Sequence, residues 1–196
     1  LLLDNGVSGI AGLSTQYQFL PMHTSRPQLD AAAKLAARST NPSDDVEYDP
    51  GDLTVFDVAN LYNINPLYAA GTKGTGTTVG VATYADFLPQ DAYDYWDLIG
   101  LHYPANRITR ISVDGGAPYG GSAGSGETSL DVEQSGGLAP NAQVIVYHAP
   151  NTDAAGIDMF YQIVSDNTVD SLSYSWGLPE IFYAPELNGG VDYTYE

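Results

Sequence analysis

Two carboxylic acids carry the clearest chemical signal in this sequence. Glu127 and Asp131 are four residues apart within the stretch from Gly126 to Glu133, and on a helix this spacing places both side chains on one face, within reach of a shared hydrogen bond. Such a geometry suits a general base and the residue that orients it. A histidine base, with a reference pKa of about 6.5, is mostly protonated in acid, whereas a glutamate with a reference pKa of about 4.3 can still accept a proton. The pair therefore indicates acid–base chemistry adapted to an acidic medium.

A solvated helix face is the ordinary alternative for a Glu and an Asp at this spacing. The surroundings favour chemistry, because a Gly- and Ser-rich loop over residues 115–126 comes directly before the pair. We expect the helix to begin at about Glu127, so that this residue lies in the first turn, where the helix dipole favours an anion. Junctions between a loop and a helix are also where α/β folds place their active sites.

The same loop contains a second motif, which we interpret as a chance match. Residues 120–124 fit the G-x-S-x-G pattern of a hydrolase, with Ser122 as the nucleophile, but that pattern requires a strand directly before the serine. Residues 117–119, Ala-Pro-Tyr, make a poor strand. An esterase that uses Ser122 therefore remains a weaker hypothesis.

The sequence shows no signature of a metal site or a cofactor. Its three histidines, His23, His102 and His148, are scattered, without i, i+4 pairing or a carboxylate cluster beside them. There are no cysteines, so the chain has neither disulfides nor thiolate ligands. We predict that this chain binds no metal and no cofactor, and that the histidines are structural.

The charge balance restricts the partners. The chain has 24 acidic and 6 basic side chains, a formal net charge of −18 at pH 7 and a sequence pI of about 4.1. An anionic surface repels phosphate groups, so we expect neither a nucleic acid nor a membrane as a partner. Near the pI the carboxylates are partly neutral, which fits a protein that works in an acidic medium. The acidic coat of a halophilic protein is the alternative explanation.

Strand and helix patterns alternate along the chain. We predict strands at residues 78–82, 108–113, 143–147 and 169–175, of which 78–82 and 143–147 are the most apolar. Helical patterns lie at residues 54–62, 91–98, 127–135 and 153–166. Thr54 and Asp57 have the spacing of a capping box at the start of the first helix. The alternation predicts an α/β fold with a mostly parallel sheet flanked by helices.

A polar segment divides the chain into two parts. Residues 39–45, Ser-Thr-Asn-Pro-Ser-Asp-Asp, indicate a flexible acidic linker. We therefore expect an appendage and its linker over residues 1–45, followed by a single domain over residues 46–196.

Six blocks of sequence resemble the sedolisins, the serine-carboxyl peptidases with a subtilisin-like fold. The similarity runs from about Leu53 to Glu180, and the blocks follow the order and spacing of that family. They are residues 57–64, 74–81, 126–133, 139–142, 147–153 and 173–177. The resemblance implies a subtilisin-like sheet, incomplete in this chain, and a secreted endopeptidase that hydrolyses peptide bonds at acidic pH in an extracellular environment.

The resemblance also implies roles for residues within these blocks. Glu127 would be the general base that activates a serine nucleophile, and Asp131 would orient Glu127. Ser175, Trp176 and Gly177 would line the groove for a protein or peptide substrate.

Residues 1–45 resemble another part of the same family. The segment Gly6–Leu13 in particular is similar to the tail of the sedolisin propeptide. Residues 1–45 would then be a propeptide tail and linker, and residues 46–196 would be the N-terminal part of the peptidase domain.

Two departures from the family affect these expectations. Thr83 lies where some members carry a glutamate that extends the carboxylate network, so the network would be shorter here or would use Asp86. The family's serine nucleophile and oxyanion-hole aspartate have no counterpart in this sequence. We expect the remaining part of the domain, with a calcium site, to come from a second chain or from further sequence. The alternative is a non-catalytic extracellular structural or binding protein built on a partial peptidase fold.

Overall fold

The computed structural model of the chain describes residues 19–21, 54–119 and 123–177. The predicted boundary near residue 45 lies outside the described residues. So do the propeptide-like segment Gly6–Leu13 and Ser122.

The described residues form five helices and six strands. The helices are α1 (Val55–Leu61), α2 (Asn65–Ala69), α3 (Pro89–Leu98), α4 (Ala123–Leu138) and α5 (Asp153–Asp166). The strands are β1 (Leu20–Pro21), β2 (Thr78–Thr83), β3 (Ile108–Ser112), β4 (Gln143–His148), β5 (Ser171–Tyr174) and β6 (Trp176–Gly177). Each predicted strand and helix occurs close to its predicted position, and α2, β1 and β6 are additional.

Local capping contacts explain where two of the helices begin and end. At the start of α1, the backbone N–H of Thr54 donates to Asp57 Oδ2 at 2.8 Å, which confirms the predicted capping box. At the start of α5, the Thr152 side chain accepts a hydrogen bond from the backbone N–H of Ala155. Asn167 ends α5 in the left-handed conformation, with φ 48° and ψ 39°, a common way to stop a helix.

The main sheet is parallel throughout. Its strand order is β3-β4-β2-β5, and every neighbouring pair runs in the same direction. In the central pair, Val81 of β2 lies opposite Val146 of β4. Parallel strands joined through helices confirm the predicted α/β class, and the architecture is consistent with the subtilisin-like fold. The carboxyl ends of these strands, including Thr83, His148 and Tyr174, lie at one edge of the sheet.

The sheet separates two hydrophobic clusters. The buried members of the cluster beneath α3 and α4 are Val81, Phe87, Ala92, Trp96, Val132, Val144 and Val146. On the other face, α5 contributes Ala155, Met159 and Ile163 to a cluster that also contains Tyr147. Along β4, Val146 belongs to the first cluster and Tyr147 to the second, as the two-residue period of a strand requires. Each fully buried Val or Met contributes roughly 1.5–3 kcal/mol.

Helix α4 differs from its prediction at both ends. It begins at Ala123, so Glu127 lies in the second turn, and the expectation that the dipole of the first turn favours this acid is wrong. The helix also continues through Gly136 and Gly137 to Leu138. A Cβ atom at Gly136 would lie 2.6 Å from the Trp96 ring, and one at Gly137 would lie 2.5 Å from Val55 Cγ1. These glycines therefore allow close helix packing instead of ending the helix.

A buried arginine holds the carboxyl end of α4. The Arg107 guanidinium donates to the backbone oxygens of Gly136 at 2.6 Å and Ala139 at 2.7 Å. Its carbon atom lies 3.8 Å from the centre of the Tyr103 ring and 4.7 Å from that of Trp96. Because these last-turn carbonyl groups carry a partial negative charge, the cation stabilises the helix that bears both predicted catalytic acids.

A second, antiparallel pairing joins the two parts of the chain. Leu20 of β1 lies opposite Gly177 of β6, and Pro21 lies opposite Trp176. Residues of the predicted propeptide segment thus pair with two of the three residues predicted to line the substrate groove.

Among the helices of the described residues, none has the length and apolar character needed to cross a membrane.

Candidate active site

The two acids predicted to be catalytic lie one turn apart on α4. A rise of about 1.5 Å per residue separates positions i and i+4 by about 6 Å along the helix, on one face. Glu127 is buried, with only 3% of its surface exposed, and Asp131 is half-buried. The predicted hydrogen bond between the two carboxyl groups stays a prediction, as do their catalytic roles.

Asp131 is directly connected to the predicted substrate groove. The Ser175 hydroxyl donates to Asp131 Oδ1 at 2.7 Å, a distance typical of a hydrogen bond from a hydroxyl to a carboxylate. Ser175 lies between β5 and β6, so this bond joins the acid-bearing helix to the carboxyl end of the sheet. Two groups of residues that were predicted separately from the sequence are therefore adjacent in the structure.

Thr83, the residue that lies where some sedolisins carry a glutamate, binds the side chain of Trp176. Its indole N–H donates to Thr83 Oγ1 at 3.1 Å, and Thr83 Oγ1 lies 2.7 Å from Thr128 Oγ1. Thr83 Oγ1 also accepts the backbone N–H of Ala85 at 3.2 Å. Thr128 Oγ1 in turn donates to the backbone oxygen of Ala85 at 2.9 Å. A chain of hydroxyl groups thus links β2, β6 and α4 directly beside Glu127.

Asp86, the residue that could extend the carboxylate network, is bound to an arginine on β3. Both carboxylate oxygens of Asp86 accept hydrogen bonds from Arg110 Nη1, at 2.8 and 2.9 Å. The backbone N–H of Phe87 also donates to Asp86 Oδ1 at 2.9 Å. Asp86 therefore holds β3 against the loop after β2, and the extent of the carboxylate network stays a prediction.

The loop after β4 supplies a residue that the sequence reasoning missed. The side-chain amide of Asn151 donates to the backbone oxygen of Phe19 at 2.7 Å and accepts the backbone N–H of Phe19 at 2.9 Å. The Phe19 ring stacks on Tyr84, with the ring centres 5.0 Å apart and the planes 12° apart. Asn151 follows a strand and opens a helix, which is the one sequence signal that could have singled it out.

His148 lies at this edge of the sheet and is held by two hydrogen bonds, and its predicted structural role stays a prediction. Its Nδ1 accepts the backbone N–H of Ala117 at 3.0 Å, so the proton of the neutral ring is on Nε2, which donates to Ser112 Oγ at 3.0 Å. Burial, the largest effect, lowers the pKa of His148 below its ordinary value. His102 contacts Asp97 at the surface, and His23 lies outside the described residues.

The described residues hold no cluster of three His, Cys, Asp or Glu side chains suited to a metal ion. The calcium site implied by the family resemblance concerns sequence outside this chain and stays a prediction. For the esterase hypothesis, residues 113–119 form a loop instead of the strand that a nucleophile motif at Ser122 requires.

The fold and the site define a class: an α/β protein, consistent with the subtilisin-like fold, whose acid-bearing helix adjoins a bound extended segment. Over 185 residues, the chain is 31% identical to kumamolisin from Bacillus sp. (strain MN-32), and the match covers 91% of this chain. No protein-family model matches the chain. The similarity confirms the resemblance seen in the sequence: the chain is sedolisin-like and is related to the serine-type peptidases of that family. It spans 31% of the length of kumamolisin.

Proposed function

We propose that the chain is the N-terminal part of the catalytic domain of a secreted serine-carboxyl endopeptidase, preceded by the tail of its propeptide. The observation that carries this proposal is the 2.7 Å hydrogen bond from Ser175 to Asp131. Ser175 directly precedes β6, and β6 holds an extended segment in antiparallel pairing. A peptide bound in this way passes beside the acids of α4, where acyl-transfer chemistry needs a base.

In the proposed mechanism, a serine from the remaining part of the domain attacks the carbonyl carbon of the peptide. Glu127 takes the hydroxyl proton, and Asp131 orients Glu127. The tetrahedral intermediate collapses to an acyl-enzyme, and the amine leaves with the proton that Glu127 returns. Water then attacks the acyl-enzyme with Glu127 again as the base, and the bond from the acyl carbon to the serine oxygen breaks as Glu127 returns the proton to that oxygen, which releases the carboxylic acid product. The serine and the oxyanion-hole group come from a second chain or from further sequence, which would also hold the calcium ion.

The propeptide role of residues 1–45 is part of the same proposal. An extended segment that pairs with an exposed strand is the usual way in which a sheet edge binds a peptide. Because β1 occupies β6, a substrate could bind only after β1 leaves. An extracellular, acidic location fits the formal net charge of −18 and the sequence pI of about 4.1.

The first prediction concerns Glu127. In the longer protein that contains this chain, Glu127→Gln should lower the rate of peptide cleavage at about pH 4 by roughly 10²–10⁴-fold, the usual contribution of a general base. Glu133→Gln makes the same change on the same helix and serves as the matched control, with activity expected to stay close to that of the unchanged protein. Thermal unfolding would verify that both variants fold.

A folded longer protein that binds peptides but never cleaves them would support the alternative of a non-catalytic extracellular binding protein. Equal loss of activity in the Glu127→Gln and Glu133→Gln variants would also contradict the proposed base.

A further inference from the structure

The contact between Asn151 and Phe19 has the form of a β-ladder pair. One side-chain amide both accepts the N–H and donates to the C=O of a single residue, at 2.9 and 2.7 Å. Two strands exchange the same two bonds at a hydrogen-bonded pair of an antiparallel ladder. Asn151 thus replaces one residue of a neighbouring strand. Since both bonds reach the main chain, Asn151 fixes an extended peptide without regard to its side chain.

The bound segment places its side chains alternately inward and outward. Phe19 is 5% exposed and Leu20 is 55% exposed, as expected when successive residues of a strand point to opposite sides. Leu20 lies opposite Gly177, which has no side chain to contact. Of these two residues, the one that occupies the position of Phe19 is therefore the one that the protein can select by its side chain.

The surface that receives Phe19 is aromatic. Tyr84 stacks on the Phe19 ring and contacts Trp176 edge to face, with ring centres 5.6 Å apart and planes 85° apart. Tyr174 also meets Tyr84 edge to face at 6.1 Å. The hydrogen bond from Trp176 to Thr83 holds the indole in its orientation. A planar ring gains both burial and stacking here, whereas an alanine gains neither.

The register indicates where a bound peptide would be cut. Leu20 pairs with Gly177 and Pro21 with Trp176, so in this register the next residue of a peptide would lie opposite Ser175. Ser175 is the residue bonded to Asp131. The position of Phe19 therefore lies on the N-terminal side of the site of chemistry, three residues before the residue that faces Ser175.

We propose that Asn151 and Tyr84, with Trp176, form a specificity subsite that holds the backbone of an extended peptide substrate and selects an aromatic side chain upstream of the cleaved bond. This inference rests on the proposed peptidase function. The segment around Phe19 occupies the subsite in this structure and shows the chemistry that the subsite accepts.

The test measures peptide binding to the full chain. The substitution Phe19→Pro removes both the ring and the N–H that Asn151 accepts, so it should vacate the subsite. The probe is a fluorescently labelled peptide with the sequence of residues 16–24, in versions with Phe, Leu or Ala at the fourth position, and the readout is anisotropy. On the Phe19→Pro background we expect the Phe peptide to bind at least tenfold more tightly than the Ala peptide, with the Leu peptide between them.

Two further substitutions on that background separate the backbone contact from the ring contact. Asn151→Ala should weaken binding of the Phe and Ala peptides by a similar factor, because it removes main-chain bonds. Tyr84→Leu should reduce the preference for Phe over Ala. Asn141→Ala, at an exposed asparagine that contacts Thr75, is the control and should change neither quantity.

Equal binding of the Phe and Ala peptides to the Phe19→Pro chain would overturn the proposal, and this comparison stands even if the Asn151 and Tyr84 variants fail to fold. Unchanged binding in a folded Asn151→Ala variant would also overturn it. The two proposals can fail separately. If the chain binds the Phe peptide selectively but the longer protein does not cleave peptides, the proposed peptidase function is wrong and the subsite stands. Cleavage without preference for an aromatic residue contradicts the subsite alone.

Discussion

At the scale of single residues, the fold raises the pKa of one carboxylic acid well above its ordinary value. Glu133 is half-buried on α4, and burial, with the negative charge of Asp91 as the smaller cause, raises its pKa from 4.5 to about 8. In acid the folded and unfolded chains both carry this proton. As the pH rises, the unfolded chain loses the proton first and is thereby favoured.

The second prediction follows from the sign of this shift. The contribution of Glu133 to stability should be fully present below about pH 4.5 and should be lost progressively up to about pH 8, at no more than about 1.4 kcal/mol per pH unit. Glu133→Gln should flatten the dependence in that interval. Urea unfolding from pH 4 to pH 8 at fixed salt measures the difference between the two chains. Parallel curves for both would show that Glu133 ionises normally.

Single residues also show which contacts can be predicted from the sequence and which cannot. The spacing of Glu127 and Asp131 was sufficient to place both on one helix, because the repeat of a helix is local. The bond between Ser175 and Asp131 links residues 44 positions apart, and that between Asn151 and Phe19 links residues 132 positions apart. No local pattern marks such a pair. Arg107 was missed for the same reason, since its partners are backbone oxygens distant in the sequence.

At the scale of elements, the predicted strands are accurate. In β2 and β4 a short apolar stretch marks the strand locally. The ends of α5 were also predictable, since its cap residues lie beside it in the sequence. The end of helix α4 was not predictable, because a glycine can either end a helix or allow a neighbouring helix to pack closely, and the sequence alone does not distinguish the two. At Gly136 and Gly137 the absence of Cβ serves contact with α3 and α1, and this becomes visible only when the neighbouring helices are in place.

The third prediction uses the glycines of α4 as matched variants. Gly136→Ala and Gly137→Ala should each destabilise the chain by roughly 1–3 kcal/mol, the usual cost of overpacking. Gly126→Ala should stabilise it by about 0.5–1 kcal/mol, because alanine is the better helix former and a Cβ atom there meets nothing within 4 Å. Denaturant unfolding compares all three. Stabilisation by Gly136→Ala would contradict the close contact with Trp96.

At the scale of the whole molecule, apolar surface remains exposed on one side. Tyr161 and Val164 of α5 are 71% and 75% exposed, and Leu172 lies on β5, the last strand of the sheet within the described residues. Exposed apolar side chains beside a strand edge are typical of an interface. We propose that the remaining part of the peptidase domain covers this surface, which we call the α5–β5 surface.

The last prediction compares two contexts of the α5–β5 surface. In the 196-residue chain, Val164→Ser should change the free energy of unfolding by no more than about 0.5 kcal/mol, as for most exposed positions. In the longer protein the same substitution should be clearly more destabilising, and amide hydrogen exchange of β5 should be slower than in the shorter chain. Equal exchange rates in the two proteins would show that nothing covers β5.

The antiparallel pairing of β1 with β6 has a kinetic consequence. A segment joined covalently to its own binding surface acts at an effective concentration in the millimolar range. Intrinsic affinity can then be weak and still keep the surface occupied. A single cut between the two removes this advantage, since the freed segment is diluted to its concentration in the medium. If β6 lines the proposed groove, one hydrolytic event between β1 and β6 would therefore be sufficient to open it.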